Sequence, residues 1–142
     1  MTSMSAPLYT RDILRLASAI PFLVRFEEVD GVERRSPTCG SRVRAAVELD
    51  AAGRVASLSQ AVEACAFGQA SASLMGAHAI GKDAGEARIA VWGVQAWLGG
   101  DDTAVTAWPG LAALEPARSR MGRHGAILLP FHALLAAIEA AA

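Results

Sequence analysis

SRVRAAVELDAAGRVASLSQAVEA, residues 41–64, is the stretch that decides the predicted fold. Apolar and polar side chains alternate in its first half, a period of two that is typical of a β-strand with one buried face. The apolar positions are Val43, Ala45, Val47 and Leu49. DAAGR follows, where Gly53 suits the left-handed backbone of a tight turn. Val55, Leu58 and Val62 fit a returning strand less regularly, and we predict an antiparallel hairpin.

The residues before this hairpin predict one helix and a third strand. Apolar residues recur at helical spacing over residues 9–20, with Thr10 or Asp12 as the N-cap and Pro21 as the stop. Residues 22–29 are predicted to be extended. DGVERRSP, residues 30–37, is predicted to be a turn that leads into a short, charged edge strand.

Helical spacing dominates after the hairpin. We predict a helix from Cys65 to Gly81, a second over residues 87–98, and an irregular stretch over residues 99–122 with one helical turn near residues 111–114. A last helix is expected to begin between residues 126 and 129, because Pro130 is tolerated only in a first turn. The order of elements predicts an α+β fold, a two-layer sandwich in which a three-stranded antiparallel sheet packs against helices, as a single domain over residues 1–142.

Composition narrows the classes of function. The chain has 142 residues and a net charge of −1, so a basic surface for nucleic acid is not indicated. No run approaches the roughly 18 apolar residues of a membrane span, and the N-terminus lacks the pattern of a signal peptide, so we expect a cytoplasmic protein. GxSxG, GxGxxG and P-loop patterns are missing, and we expect no enzyme.

The chain has two cysteines, and their positions suggest a shared site. Cys39 lies in a predicted loop between strands, flanked by Pro37 and Gly40, and Cys65 lies where a strand gives way to a helix. A helix N-terminus stabilises a thiolate. The hairpin would bring both sulfurs to one edge of the sheet. The alternative is that each cysteine is a small buried apolar residue.

SPTCGS before the hairpin, ACAFGQASASLM at the start of the next helix and RHGAILLPFHALLAAI at the last helix together resemble a known family. The chain resembles the U-type iron–sulfur cluster assembly scaffolds (IscU, SufU and the N-terminal domain of NifU), from the first helix to the last. The resemblance implies the SufE/NifU-like fold. It also implies a scaffold that receives sulfur from a cysteine desulfurase and passes a cluster to recipient apoproteins.

The resemblance implies a set of site residues, with two departures. Cys39 and Cys65 match the family's first and second cysteines, and His124 matches the histidine before the third. Gly125 stands where the third cysteine belongs and Ser41 where the family has an aspartate, which suggests a sub-group that lacks the third cysteine. Thiolate is the usual ligand of iron–sulfur clusters, and imidazole suits zinc and iron. The implied metal ligands are therefore Cys39, Cys65 and His124.

Several readings stay open at this stage. The cargo is expected to be a [2Fe–2S] cluster or iron, with a cluster bridging two protomers or with His124 and water completing a zinc or iron site in a monomer. A zinc-binding acceptor of persulfide sulfur from a desulfurase is an alternative function, and a metal-free interaction module of the same fold is another. LEPARSR, residues 114–120, resembles the segment of IscU that a dedicated chaperone recognises, but it keeps only one proline. We therefore expect an ordinary loop there and no chaperone handling.

Overall fold

Antiparallel strands form one layer of the protein and helices form the other. The computed structural model describes residues 9–37 and 40–142. The strands are β1 (Val32–Arg35), β2 (Arg42–Leu49) and β3 (Val55–Glu63), and the helices are α1 (Arg11–Ala17), α2 (Ala66–His78), α3 (Ala84–Leu98) and α4 (His124–Ala141). Four short 3-10 helices cover Phe26–Glu28, Asp102–Ala107, Leu111–Ala117 and Met121–Arg123. The predicted α+β sandwich is confirmed.

The sheet has the order β1-β2-β3, with β2 in the centre. Val43 pairs with Val62 and Ala45 with Gln60 on the face that meets the helices. A register shift at Glu48/Leu49 interrupts the alternation, which explains why the returning strand looked irregular in the sequence. Gly53 has φ +77° in the turn, as predicted.

Helix α4 is the centre of the helical layer, where it packs against β1, β2, α2 and α3. The buried core runs from Ile13 in α1 to Ile138 in α4. Small residues bring α2 close to α4: Ser71 is fully buried, and its hydroxyl donates a hydrogen bond of 2.5 Å to the carbonyl of Ile127.

The predicted start of α4 is wrong. The helix begins at His124, so Pro130 lies in its second turn. Proline has no N–H, and the carbonyl of Ala126 four residues earlier therefore loses its partner within the helix. That carbonyl faces α2, where a Cβ added to Gly68 would lie 3.3 Å from it. The short 3-10 helix Met121–Arg123 leads directly into α4 and sets the earlier start.

Two other helix ends differ from the prediction. Helix α1 is capped by Thr10, as expected, but ends at Ala17, where the N–H of Ser18 bonds to the carbonyl of Leu14. Helix α2 ends at His78 rather than Gly81, because the backbone of Gly81 and Lys82 pairs with Val55 at the start of β3.

Residues 22–29 are extended only in part. Leu23 forms a single parallel bridge with Gln60, and Phe22 has φ +59°, which turns the chain. A 3-10 helix follows, in which the side chain of Glu28 accepts a hydrogen bond from the N–H of Arg25. The predicted turn near residues 111–114 belongs to a longer 3-10 helix, Leu111–Ala117.

The helical run Met121–Ala141 passes for a membrane span by length and composition alone, with a mean hydropathy of 1.4. The sequence expectation that no such run exists is therefore corrected. Of the 18-residue window with the highest hydropathy, 56% is buried inside the protein. Helix α4 also contacts the sheet and two other helices. Its apolar character is that of a core helix.

Candidate functional site

Cys65 is the N-cap residue of α2. Its backbone is extended, with φ −66° and ψ 172°, and its carbonyl accepts a hydrogen bond of 2.9 Å from the N–H of Gln69. The side-chain amide of Gln69 returns a bond of 3.1 Å to the carbonyl of Ala64. These bonds fix the junction between β3 and α2, and the Cys65 thiol there is free and half-buried.

A cleft of about 220 Å³ opens beside this thiol. The described residues that line it are Gly40, Ser41, Glu63, Ala64 and Cys65. They come from the start of β2 and the end of β3, which the register places side by side through the pair Arg42 and Glu63. The start of β2 and the end of β3 therefore meet at the cleft, while the predicted meeting of the two sulfurs stays a prediction.

Cys39 lies outside the described residues. Gly40, which follows it in the chain, lines the cleft with φ +71°, a conformation that favours glycine. The N–H of Ser36 donates a hydrogen bond of 2.9 Å to the carbonyl of Ser41, which closes the connection between β1 and β2. Ser41, where the resemblance drawn from the sequence implies an aspartate, is only 4% exposed.

A network of charges borders the cleft on the outer face of the sheet. Arg42 lies 3.4 Å from the carboxylate of Glu63 and 3.6 Å from that of Glu33, and its guanidinium stacks 3.7 Å above the ring of Phe26. Hydrogen bonds from Arg35 and Arg44 hold the pKa of Glu33 below its ordinary value. Glu63 contributes the only carboxylate among the described residues that line the cleft.

His124 is the first residue of α4 and does not line this cleft among the described residues. Its Nε2 lies 3.1 Å from the carbonyl oxygen of Ala117 and 3.0 Å from that of Arg118. Carbonyls only accept hydrogen bonds, so Nε2 carries a proton and Nδ1 is the nitrogen able to bind a metal. The ring borders a separate pocket with Leu98 and Met121.

The first turn of α4 nevertheless lies against the first turn of α2. A Cβ on Gly68 would lie 3.4 Å from the Cβ of Ala126, and the next residue, Ile127, bonds to Ser71. Gly125, where the resemblance drawn from the sequence implies a third cysteine, is exposed immediately before this contact. Position 125 is thus at the same end of the helical layer as Cys65.

The fold agrees with a comparison against known families. The sequence profile of the NifU-like N terminal domain matches residues 23–112. The chain belongs to the NifU-like N-terminal domain family. The matched span includes Cys39 and Cys65 but ends before His124. No curated protein matches this sequence.

Solved structures share the NifU-like fold. The N-terminal part of a nitrogen-fixing NifU-like protein from Brucella abortus is 26% identical, with a TM-score of 0.78 over 94% of each chain. A putative iron–sulfur cluster assembly scaffold protein for the SUF system from the thermophile Fervidobacterium islandicum AW-1 is 21% identical, with a TM-score of 0.76 over 92% of this chain and 96% of that one. At 21% identity, the similarity to the Fervidobacterium protein concerns the fold alone.

The segment that resembles the chaperone motif is folded in this NifU-like chain. Leu114 is fully buried within the 3-10 helix Leu111–Ala117. Arg118 donates hydrogen bonds to the carbonyl of Trp97 at 2.8 Å and to the carboxylate of Asp102 at 2.6 Å. The segment is therefore held by the core at one end and by paired polar groups at the other.

Glu63 is the cleft residue that the sequence analysis missed. It stands two residues before Cys65, at the end of the predicted strand. A period of two places such residues on the same side of a strand. That signal was present in the sequence, but the family comparison directs attention to position 41 instead.

Proposed function

We propose that this NifU-like chain is a scaffold on which an iron–sulfur cluster is assembled and from which it is passed to recipient apoproteins. The observation that carries the proposal is the half-buried, free Cys65 thiol in an open cleft lined by Gly40, the residue after Cys39. Cysteine thiolates hold cluster iron, and a cluster that is to be transferred has to be reachable from solvent. A cleft at a sheet edge lets a cluster enter and leave without unfolding the core.

The donors at the cleft fit iron and also zinc. Cys65 supplies one thiolate, and Cys39 is proposed as the second. Two thiolates leave a tetrahedral ion two ligands short, so other donors or water complete the set. His124 is proposed as a ligand through Nδ1, because carbonyls hold the proton on Nε2 and so orient the ring.

The proposed partners follow from this role. A cysteine desulfurase supplies the sulfur, and iron–sulfur apoproteins receive the cluster, in the cytoplasm. The chain binds and transfers its cargo and is not an enzyme. We also propose that residues 1–142 act as one domain, because a continuous core joins α1 to α4. A chaperone is not required, since the segment that would bind it is folded.

Anaerobic reconstitution tests the proposal. The full chain is incubated with ferrous iron, cysteine and a cysteine desulfurase, and iron, sulfide and zinc per chain are measured together with the visible spectrum. The expected result is bound iron and sulfide, a charge-transfer spectrum, and transfer of the colour to an apo-ferredoxin. About one zinc per chain without colour would instead favour the persulfide acceptor. Neither metal would favour a metal-free module.

The role of His124 is tested in the same assay. His124→Gln is compared with His132→Gln, a matched change at an exposed position of the same helix. A ligand role predicts that only His124→Gln weakens metal retention, by about tenfold or more. Equal retention in both variants would remove His124 from the site.

A further inference from the structure

Glu63 and Cys65 lie two residues apart in the chain and line the same cleft. Glu63 is the last residue of β3, and the backbone stays extended at Cys65, with φ −66° and ψ 172°. Gly40, which also lines the cleft, has no side chain.

The chemistry of the cleft calls for an oxygen donor. Ser41 and Gly125 stand where the family resemblance implies an aspartate and a third cysteine. Ser41 is 4% exposed, and a neutral hydroxyl is a weaker donor than a carboxylate. Glu63 offers that carboxylate, and its side chain is 64% exposed, so it turns at little cost in burial.

Arg42 holds the carboxylate of Glu63 in a way that permits exchange. The ion pair is 3.4 Å long, and Arg42 has a second carboxylate partner in Glu33 at 3.6 Å and the ring of Phe26 at 3.7 Å. When Glu63 turns to a metal, the guanidinium therefore keeps a partner and is not left unpaired. The ion pair positions the Glu63 carboxylate at the rim of the cleft and still leaves it able to bind a metal.

We infer that Glu63 is a metal ligand of this cleft and supplies the anionic oxygen donor that Ser41 and Gly125 do not. The inference rests on the proposed function, because it assigns a further ligand to the same site. The coordination set is then two thiolates and one carboxylate from a single chain, with His124 or water as the fourth donor. Iron and zinc both accept such a mixed set.

Zinc binding to the full chain tests this assignment without a cluster. The apoprotein is titrated with Zn²⁺ against a chromophoric chelator, for the wild type, Glu63→Gln, Cys65→Ser and Glu48→Gln. Glu48 is the matched control, because it lies on the same face at the other end of β2 and accepts a hydrogen bond from Ser57. Urea unfolding of each apoprotein checks that the variants are folded.

Salt separates a ligand from a nearby charge. Each titration is repeated at about 1 M salt, where the screening length falls to about 3 Å. Loss of a group outside the coordination shell typically costs about 10- to 100-fold in metal affinity, so loss of a ligand should cost more. We expect Glu63→Gln to weaken Zn²⁺ binding by more than about 100-fold at both salt concentrations and Glu48→Gln to bind like the wild type.

The contrary outcomes are distinct. Wild-type affinity in Glu63→Gln, with binding lost in Cys65→Ser, would overturn the Glu63 assignment and leave the proposed function standing. A loss in Glu63→Gln that vanishes at high salt would also overturn it, because Glu63 would then act only as a charge. A wild type that binds no Zn²⁺ and no iron would overturn the proposed function and the Glu63 assignment together.

Discussion

The titration of His132 couples to the stability of the protein. The side chain reaches solvent, but the neighbouring atoms desolvate part of the ring; this desolvation, and to a smaller extent Arg34, lowers its pKa from the ordinary value of 6.5. The unfolded chain then takes up a proton at a higher pH than the folded chain does, so stability is full above pH 6.5 and falls as the pH drops through and below that value.

The measurement is urea unfolding at a series of pH values between about 7.5 and 5.5, for the wild type and His132→Gln. We expect the wild type to lose stability over this range and the variant to lose less. The reading of His132 would be contradicted if both proteins gave parallel curves. Arg34→Gln should reduce the effect only slightly, since desolvation is the larger cause.

The position of a site residue could be predicted from the sequence where the local secondary structure determines it. Cys65 was expected at a strand-to-helix junction, and it is the N-cap of α2. The orientation of His124 was not predictable, because its Nε2 bonds to carbonyls of an irregular segment that has no periodic signal. Glu63 was missed because its importance depends on a cleft that forms only when β2 and β3 pair.

The packing of α2 against α4 depends on the absence of a side chain at Gly68. A Cβ there would lie 2.7 Å from the Cβ of Ala64 and 3.3 Å from the carbonyl oxygen of Ala126. These contacts position the first turn of α2, and with it Cys65, against the first turn of α4. The site therefore depends on a close contact between two helices.

Gly68→Ala should destabilise the protein by about 1–3 kcal/mol, the usual cost of overpacking. Gly85→Ala is the matched control in the first turn of α3, where the nearest atom is Oδ1 of Asp83 at an ordinary 3.5 Å. It should stabilise the protein by about 0.5–1 kcal/mol, because alanine favours helix more than glycine does. Urea unfolding measures both, and equal effects of the same sign would contradict the close contact.

The start of helix α4 could not be predicted from the periodicity of its sequence. The rule that proline belongs in a first turn predicted a late start, but the helix begins earlier and carries Pro130 inside it. The carbonyl of Ala126, whose helical partner Pro130 removes, lies against Gly68 on α2. This contact joins residues far apart in the sequence, so no pattern within α4 predicts it.

At the scale of the whole molecule, the order of elements predicted the architecture correctly. The alternation in β2 and the helical spacing after Cys65 were sufficient for an α+β sandwich with a three-stranded sheet. In the stretch before α4, only one helical turn near residues 111–114 was predicted, although the stretch forms three 3-10 helices that bury Leu111 and Leu114. Long-range burial, rather than local propensity, determines that part.

Because all the proposed ligands come from one chain, metal loading should not change the oligomeric state of the protein. If Cys39, Cys65 and Glu63 of the same chain hold the metal, loading requires no second protomer. We expect native mass spectrometry to give the same oligomeric state for the apoprotein and for the Zn²⁺-loaded and reconstituted protein. A shift to a dimer with one cluster for two chains would contradict the single-chain set and favour a bridging cluster.

The central claim is that Cys65, together with Cys39, holds the cargo at this edge of the sheet. The most direct measurement is the visible charge-transfer absorbance of the wild type, Cys39→Ser and Cys65→Ser after identical anaerobic reconstitution. The account predicts a coloured wild type and loss of the absorbance in each single variant, with both variants still folded. Undiminished colour in Cys65→Ser would contradict it.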